Sequence, residues 1–293
     1  MHGREAVLAA YGMSAFDVAT LTALRTVSPP DLDGRLDEPP WDGARWSGRL
    51  VDLVTGAPAI YDTRVACLWD DDALYVGIRS EEPFLRGRLT ERDSLIWYDD
   101  DVELFIAGDD AYWELEVNQL GTVYEVLHVW ADAAGEGGAW HLPAYDPRLR
   151  DARGFVGNGD PERWDWNGLH PRGHRWSFLD WDLAGLRTGV WLAGTLDDDS
   201  DVDEGWDATI AAPWEGLAEV VAGPAHAKGW RPHAGMTLRC CVARFENFEI
   251  NGQAVRPTTG WTLNRHGRYD IHVPEAFPIL TLSAEAAGSP PGR

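Results

Sequence analysis

The stretch 92–118, RDSLIWYDDDVELFIAGDDAYWELEVN, contains two strand patterns separated by a turn. Residues 102–106 (VELFI) form the first pattern, and residues 112–118 (YWELEVN) form the second. The intervening segment 108–110, Gly-Asp-Asp, has the residue types that favour a tight turn. We therefore predict a β-hairpin at this point of the chain.

Side chains alternate between the two faces of the second predicted strand. The apolar set is Trp113, Leu115 and Val117, and the polar set is Tyr112, Glu114, Glu116 and Asn118. Two carboxylates on one strand lie about 7 Å apart and repel each other unless a cation, an Arg or a hydroxylated ligand lies between them. The polar face is therefore either a solvated outer surface or the floor of a binding site.

Composition limits the classes of partner. The chain has 293 residues, which suits a single large all-β domain with a sizeable core. Its 48 acidic and 25 basic residues give a formal net charge of −23, which disfavours nucleic acid and anionic membranes as partners. The 16 Trp residues exceed what core packing usually needs, and Trp couples a large apolar face with an N–H donor, which suits sugar rings. We expect several of them to line a surface groove and many others to fill the core.

Cysteine usage and the N-terminus bear on localisation. The three cysteines, Cys67, Cys240 and Cys241, give no disulfide framework because their number is odd and two of them are adjacent. No Cys or His group has the spacing of a zinc site. Residues 1–21 lack the pattern of a secretory signal, and no stretch reaches transmembrane length. We therefore expect a cytoplasmic protein, unless a leader precedes this sequence.

Further strand patterns recur along the chain, with turn formers between them. They cover residues 63–69, 74–79, 122–130, 186–196, 205–214 and 236–248, with a last strand inside 261–282. Turn residues at 31–41 mark the start of the domain, and the tail 284–293 has the composition of a disordered segment. The pattern predicts an all-β fold, a two-sheet antiparallel β-sandwich over residues 30–283 with an N-terminal arm, residues 1–29, on its outside.

Strand periodicity disappears between residues 131 and 185, where Gly, Pro, Asp, Arg and Trp dominate. A structureless loop of this length is uncommon inside a compact domain. Its Trp residues argue against disorder, because aromatic-rich segments bury themselves or a ligand. We therefore expect an ordered, Trp-rich insertion that covers one end of the sandwich.

Seven motifs occur in an order that is typical of one protein family. They are 33–41 (DGRLDEPPW), 68–76 (LWDDDALYV), 92–106 (RDSLIW followed by DDVELFI), 112–123 (YWELEVN followed by LGTV), 194–196 (GTL), 205–214 (GW followed by AAPW) and 272–275 (HVPE). Through these motifs the chain resembles a family 9 carbohydrate-binding module, in the stand-alone form of bacterial genomes, over roughly residues 30–283. The resemblance implies a β-sandwich of immunoglobulin-like layout that binds a saccharide, often at a chain end, between two aromatic side chains. It also implies a structural calcium ion as a candidate cofactor, since some members carry calcium.

The resemblance assigns roles to particular positions. Trp97 falls where the family stacks one sugar ring, and Glu103 falls where a carboxylate accepts hydrogen bonds from sugar hydroxyls. The second aromatic wall lies near the last strand in the family, but residues 267–272 contain no Trp. The candidates for that wall are Tyr269, Trp261 and the insertion residues Trp164, Trp166 and Trp176. The full set of expected saccharide-binding residues is Arg92, Asp93, Trp97, Asp100, Glu103, Glu114, Glu116, Asn118, Trp261, Tyr269 and His272.

The neighbours of Trp97 leave two interpretations of this site. The run 99–101 (DDD) must face water or a cation, which favours an exposed Trp97 over a buried one. Arg92 either forms a surface ion pair with Asp93 or neutralises the acidic face of the hairpin. His272 is assigned mainly by its place in the HVPE motif.

The acidic loop 197–204 (DDDSDVDE) offers hard oxygen ligands for calcium. It does not match an EF-hand, because Val202 stands where Gly is needed and Ala208 where Glu is needed. The loop is therefore either a solvated acidic turn or an irregular calcium site formed by Asp197, Asp199, Asp201 and Asp203.

Catalysis is an alternative class of function. Two carboxylates drawn from Glu103, Glu114 and Glu116 would serve a glycosidase, one protonated and one ionised. Nothing in the sequence selects such a pair, and no nucleophile elbow, phosphate loop, dinucleotide fingerprint or HExxH motif is present. A third alternative is an assembly role in which the acidic face binds a partner protein. We expect noncovalent saccharide binding and lean against catalysis.

Overall fold

Strands dominate the regular structure in the computed structural model, which describes residues 3–157, 170–251 and 253–288. The strands are β1 (Thr20–Arg25), β2 (Val51–Asp52), β3 (Thr63–Trp69), β4 (Ala73–Glu81), β5 (Asp101–Ala107), β6 (Ala111–Asn118), β7 (Val123–Trp130), β8 (Ala152–Phe155), β9 (Arg175–Phe178), β10 (Arg187–Ala193), β11 (Gly205–Pro213), β12 (Thr237–Glu246), β13 (Glu249–Ile250), β14 (Gln253–Ala254), β15 (Thr259–Thr262) and β16 (Ile279–Ala286). The α-helices are α1 (Arg4–Ala10), α2 (Ala131–Ala134), α3 (Trp214–Ala222) and α4 (Pro224–Ala227). Short 3₁₀ turns occur at Ala15–Asp17, Trp41–Gly43, Ile96–Tyr98, Pro143–Tyr145 and Pro274–Ala276. None of the described helices is long and apolar enough to cross a membrane.

The main sheet is continuous in its hydrogen bonding. Its strand order is β10-β11-β4-β3-β1-β16-β12-β5-β6-β7-β9-β8, with β15 on β12 and β2 on β15, while β13 and β14 pair separately. The predicted hairpin is confirmed, since β5 and β6 pair antiparallel from Asp101 opposite Asn118 to Ala107 opposite Tyr112. The sheet is mixed, because β1 runs parallel to both β3 and β16.

One apolar core lies between the two halves of this sheet. Ile78 of β4 and Ile210 of β11 belong to the same buried cluster as Leu104 of β5, Leu115 of β6 and Val242 of β12. Each of these side chains alternates with outward-facing neighbours along its strand, as a half-buried strand requires. The predicted all-β sandwich is confirmed, but its strands form one mixed sheet rather than two antiparallel sheets, since β1 is parallel to both its neighbours.

The N-terminal arm was predicted to lie outside the sandwich, and for β1 this is wrong. The strand lies inside the main sheet, where Ala23 pairs with Cys67 on one side and Leu21 pairs with Leu280 on the other. Leu21 and Ala23 enter the main core, and Leu24 packs into a second cluster on the other face. The domain therefore begins before residue 30, and it extends beyond residue 283 because β16 ends at Ala286.

The insertion 131–185 also contributes to the sheet. Strand β9 pairs with β7 and β8 pairs with β9, so the segment extends the sheet at one edge. Trp140 and Trp181 are buried in the main core, while Trp176 is only partly buried. Trp164 and Trp166 lie outside the described residues.

The outer face of the hairpin is covered by a second layer of chain. Phe105 of β5 and Tyr112 of β6 pack against Phe277 and Ile271, which belong to the segment 266–277. Every residue of β5, β6 and β7 is buried. The polar side chains of the hairpin therefore lie between two layers of protein rather than on a solvated surface.

Two substitutions in the N-terminal 30 residues test the position of β1. We expect Leu24→Ala to lower the free energy of unfolding by about 2–5 kcal/mol, because it removes buried methyl groups from a packed cluster. The matched control is Phe16→Ala, because Phe16 is fully exposed and such surface changes stay within about 0.5 kcal/mol. Urea denaturation followed by Trp fluorescence measures both, and equal small effects would contradict the placement of β1.

Candidate functional site

Trp97 lies in the 3₁₀ turn Ile96–Tyr98, at the edge of the hairpin. Ile96 is buried and anchors the turn, while the ring of Trp97 is only partly buried. That ring meets Tyr124 edge-on, with ring centroids 5.3 Å apart at 83°, and lies 5.9 Å from the largely exposed Tyr98. Trp97, Tyr98 and Tyr124 form what we call the aromatic patch. Tyr98 and Tyr124 were not singled out in the sequence. Alternation along β7 could have indicated Tyr124, because it lies on the same face of that strand as Val126 and His128.

The acidic run 99–101 does not face water, as the buried positions of all its residues show. Asp99 is used structurally, since its Oδ2 accepts hydrogen bonds from the backbone N–H groups of Arg88 and Leu89 at 2.9 Å. Asn118 donates to the same oxygen, and its own Oδ1 accepts from Leu120 and Thr122. Asp99 and Asn118 therefore hold the loops at this end of the hairpin.

Three carboxylates converge on the outer face of the hairpin, and we call them the carboxylate triad. Glu103 of β5 lies directly opposite Glu116 of β6, and Asp101 precedes Glu103 on the same face. One oxygen from each lies within 4.8 Å of the others. Their side chains are buried, with residue exposures of 0% for Asp101, 4% for Glu103 and 2% for Glu116. In the sequence, alternation singled out Glu116 and the family resemblance singled out Glu103, but Asp101 was missed.

The triad lacks the hydrogen-bond partners that buried carboxylates normally have. Both oxygens of Asp101, and one oxygen each of Glu103 and Glu116, are buried without a partner among the described residues. Burial raises the pKa of each of the three carboxyls well above its ordinary value, and the neighbouring carboxylates raise it further. The backbone amide of Trp97 acts in the opposite direction on the pKa of Glu116, and that of Phe245 does so on the pKa of Asp101. The turn that carries Trp97 therefore packs against β6, the strand of Glu116.

A second acidic group surrounds Arg244, and we call it the arginine cluster. Nη2 of Arg244 donates to Glu82 at 2.5 Å and to Glu246 at 2.6 Å. Asp100 lies beside them and accepts a hydrogen bond from the backbone N–H of Asn247 at 2.7 Å. Burial raises the pKa of Asp100 to about 7, and the Glu246 carboxylate adds to this. Asp100 therefore belongs to a different cluster from Glu103, with which it was grouped in the sequence.

A third group, the histidine cluster, contains Glu114, His128 and His272. Oε2 of Glu114 lies 2.6 Å from Nε2 of His128, and Oε1 lies 3.8 Å from Nε2 of His272. The other ring nitrogens contact hydroxyl groups, Ser177 at 2.9 Å from His128 and Tyr112 at 3.2 Å from His272. Burial lowers the pKa of His272 to about 3. The predicted residues Glu114 and His272 are thus brought together, but apart from Trp97.

The histidine cluster also has a positive charge of its own. Arg175 of β9 is fully buried and donates from Nη2 to the carbonyl oxygen of His272 at 3.2 Å. Its guanidinium lies 4.6 Å from the ring centroid of Trp130 and 5.6 Å from that of Tyr112. Arg175 lowers the pKa of both histidines, and it partly offsets the effect of burial on Glu114. No local pattern marks this residue in the sequence, where it lies in the insertion.

Arg92 does not neutralise the carboxylate triad. Its Nη2 donates to Glu125 and, at 2.6 Å, to Asp182, while Asp93 lies 3.7 Å from its Nε. Glu125 is buried and also accepts from Nε1 of Trp113 at 3.0 Å. The hypothesis that Arg92 pairs with the acidic face is therefore wrong, because its guanidinium forms an ion pair with Glu125 on the inner face of β7.

The candidates for a second aromatic wall differ in accessibility. Trp261 is fully buried and contacts Tyr61 and Phe248, so its ring faces are covered. Tyr269 is partly buried against Phe245, with ring centroids 6.4 Å apart. Trp176 lines a separate cavity of about 590 Å³ in the insertion. Tyr269 and Trp176 thus keep some accessible ring surface, whereas Trp261 does not.

The acidic loop 197–204 uses its carboxylates on nearby protein groups. Asp203 accepts from the backbone N–H groups of Thr195 and Leu85 at 2.8 and 2.9 Å. Asp199 pairs with Arg86 at 3.0 Å. Within the described part of the chain, the acidic groups close enough together to hold an ion lie elsewhere. The four aspartates proposed as calcium ligands are therefore not brought together.

Comparison with known proteins shows the fold. No known family model matches the sequence, and no curated protein matches it. A family 9 carbohydrate-binding module from Caldicellulosiruptor kristjanssonii, solved in complex with cellotriose, is similar over 94% of this chain and 99% of that chain, with a TM-score of 0.50 and 12% identity. A protein from Bacteroides uniformis ATCC 8492, provisionally named carbohydrate-binding, is similar over 91% of this chain and 100% of that chain, with a TM-score of 0.56 and 15% identity. The resemblance carried by the seven motifs is confirmed at the level of the fold.

The raised pKa of Asp100 predicts how stability depends on pH. Between the ordinary pKa of Asp, about 3.9, and the folded value of about 7, the native state holds a proton that the unfolded state has released. The contribution of Asp100 to the free energy of unfolding is therefore fully present below pH 4 and is lost as pH rises towards 7, by an amount on the order of a few kcal/mol.

We expect Asp100→Asn to make the fall in unfolding free energy between pH 5 and 7 shallower, while its amide oxygen still accepts from Asn247. Glu246, whose pKa burial also raises to about 7, accounts for the slope that remains. Urea denaturation at several pH values in metal-free buffer measures the slope, with the exposed Glu91→Gln as control. An unchanged slope in Asp100→Asn would contradict the assignment.

Proposed function

We propose that this protein binds a saccharide noncovalently at the aromatic patch, with Trp97 stacked on a pyranose ring. The observation that carries the proposal is the partly buried ring of Trp97 beside buried carboxylates that lack hydrogen-bond donors. An aromatic ring next to acceptors suits a sugar, which presents an apolar ring face and hydroxyl donors at its edge.

The ring of Trp97 is fixed before a ligand arrives. Its edge-on contact with Tyr124 and the anchoring of Ile96 in the protein hold the 3₁₀ turn in place. A preordered ring loses little conformational freedom on binding, which favours affinity. Tyr98, largely exposed beside Trp97, offers further aromatic surface to the same ligand.

Glu103 and Glu116 are the proposed acceptors for sugar hydroxyls. Each has one buried oxygen without a partner, so a hydroxyl donor that reaches it replaces no existing hydrogen bond. A carboxylate is a stronger acceptor than a neutral group, which favours a polyhydroxylated ligand over a purely apolar one. The backbone amide of Trp97 lies near Glu116, which supports a single site for the stacking surface and the acceptor.

The fold supports the same proposal. The module from C. kristjanssonii, which shares this fold across nearly its whole length, was solved with cellotriose. Cello-oligosaccharides are therefore the first ligands to test, alongside xylo- and manno-oligosaccharides and their monosaccharides.

We expect the parent protein to bind at least one of these saccharides with micromolar to millimolar affinity, as sugar stacking worth on the order of 1 kcal/mol allows. Trp97→Ala should weaken that binding about tenfold or more, because it removes the stacking surface. A glycan array identifies the ligand, and titration calorimetry measures both affinities.

The matched control is Trp191→Ala. Trp191 is also a partly buried Trp, but it lies on β10 in the other half of the sheet, beneath the guanidinium of Arg35. Its loss should leave saccharide affinity unchanged. The proposal is wrong if no saccharide binds at millimolar concentration, or if Trp97→Ala binds as tightly as the parent.

A further inference from the structure

We propose that Asn247, which directly follows β12, positions Trp97 for saccharide binding. The residue holds the 3₁₀ turn Ile96–Tyr98 against the end of β12, so that the indole ring keeps one orientation before a ligand arrives. Asn247 acts through Trp97 and is a positioning residue rather than a ligand contact. The inference rests on the proposed saccharide site and adds to it a residue on which that site depends.

Asn247 donates hydrogen bonds to three groups within residues 97–100. Its backbone N–H donates to Oδ1 of Asp100 at 2.7 Å. Its side-chain Nδ2 donates to the carbonyl oxygen of Asp99 at 2.6 Å and, at 3.5 Å, to that of Trp97. One residue therefore binds the chain on both sides of Tyr98.

The turn needs a partner of this kind because it is short. It is closed by the hydrogen bond from the backbone N–H of Asp99 to the carbonyl oxygen of Ile96, at 2.7 Å. A 3₁₀ turn has poorer hydrogen-bond geometry than an α-helix, and its last carbonyl groups have no partner within the turn. The amide of Asn247 supplies a donor for the carbonyl groups of Trp97 and Asp99.

The register of the sheet explains why Asn247 reaches this point. Strands β12 and β5 pair antiparallel, and their ladder ends where Phe245 lies opposite Asp101. Two residues after Phe245 comes Asn247, and two residues before Asp101 comes Asp99, so the same register brings these two residues together. The side-chain amide thus continues the connection between the two segments beyond the last backbone pair.

The other supports of the turn reach it from different elements. Ile96 is buried against side chains of β7. Oδ2 of Asp99 accepts from the backbone N–H groups of Arg88 and Leu89 at 2.9 Å. Asn247 adds the link to β12, on the side of the carbonyl group of Trp97 itself.

The side chain of Asn247 is itself oriented by a neighbour. Its Oδ1 accepts a hydrogen bond from Nη1 of Arg256 at 3.2 Å, and the residue is half-buried. The oxygen of the amide therefore faces a donor, while the nitrogen faces two carbonyl oxygens, which fixes the direction of the amide. The contact with Trp97 is ordered before a saccharide binds.

Two substitutions isolate the side chain, because the backbone N–H that meets Asp100 is kept in both. Asn247→Ala removes the amide. Asn247→Asp keeps the shape but places a carboxylate oxygen where the donor to the Asp99 carbonyl stood, so the hydrogen bond becomes a repulsion. The matched control is Gln253→Ala, which removes an exposed amide from the neighbouring strand β14.

The first measurement is hydrogen exchange followed by mass spectrometry, on the full chain without saccharide. We expect both Asn247 variants to exchange about threefold faster or more in the peptide that contains residues 95–101, because a lost hydrogen bond lowers the cost of opening the turn. Gln253→Ala should leave this peptide unchanged. Leu24→Ala, which destabilises the core far from the turn, should leave it unchanged as well.

The second measurement is calorimetric titration with the oligosaccharides that the parent binds. Both Asn247 variants should bind about threefold or more weakly, because a loosened turn must be ordered when the ligand stacks. Gln253→Ala and Leu24→Ala should bind as the parent does. In a Trp97→Ala background, Asn247→Ala should have no further effect on affinity, since its contribution passes through that ring.

Circular dichroism checks that each variant is folded. The inference is overturned if exchange in residues 95–101 or saccharide affinity is the same in both folded Asn247 variants as in the parent, or if Asn247→Ala weakens binding equally with and without Trp97. In these cases the parent still binds in a manner that depends on Trp97, and the proposed function stands. If the parent binds no saccharide, the proposed function is wrong and the inference is wrong with it, so the titration of the parent tells the two failures apart.

Discussion

The cost of holding carboxylates out of water shapes the outer layer of this protein. The β5–β6 hairpin places Asp101, Glu103, Glu114 and Glu116 on a single face, and the segment 266–277 then covers that face. An isolated buried carboxylate costs several kcal/mol unless a charge or hydrogen-bond donor meets it. The buried acidic groups of the candidate site differ in how that cost is met.

Other buried carboxylates are stabilised by neighbouring histidine or arginine side chains. Glu114 has two histidines and Arg175 beside it, while Glu82 and Glu246 share the guanidinium of Arg244. Arginine suits such positions because its planar donors can serve two carboxylates at once. The triad is left without an equivalent partner, so its free oxygens are the ones that a hydroxylated ligand would meet.

Local patterns predicted the strands and the core, because alternation of side chains is a property of a few consecutive residues. Trp113, Leu115 and Val117 were assigned to the core from alternation alone and are fully buried. The same alternation cannot tell a solvated face from a covered one. The residues that cover it, Ile271 and Phe277, lie about 150 positions later in an irregular segment with no periodic signal.

Long-range pairing explains the other differences. β1 has no hairpin partner nearby, since it pairs in parallel with β3 and with β16 at the opposite end of the chain. Arg92, Arg175 and Arg244 could be recognised as cations, but their partners could not be read from sequence distance. Only the folded structure therefore shows which carboxylates lack a partner. It also separates the triad from its acidic neighbours.

The overall charge of the protein acts in the same direction as the local charge of the triad. A formal charge of −23 produces a negative potential around the protein that concentrates cations and repels anions. Burial protects the triad from screening by salt, so its local charge acts over the short distance at which an ion or a hydroxyl would bind. The acidic composition, the unpaired oxygens and the neighbouring Trp97 thus favour ligands of one kind, those that bring positive charge or hydrogen-bond donors to a carboxylate. Anionic ligands are disfavoured at this site by both the local and the global field.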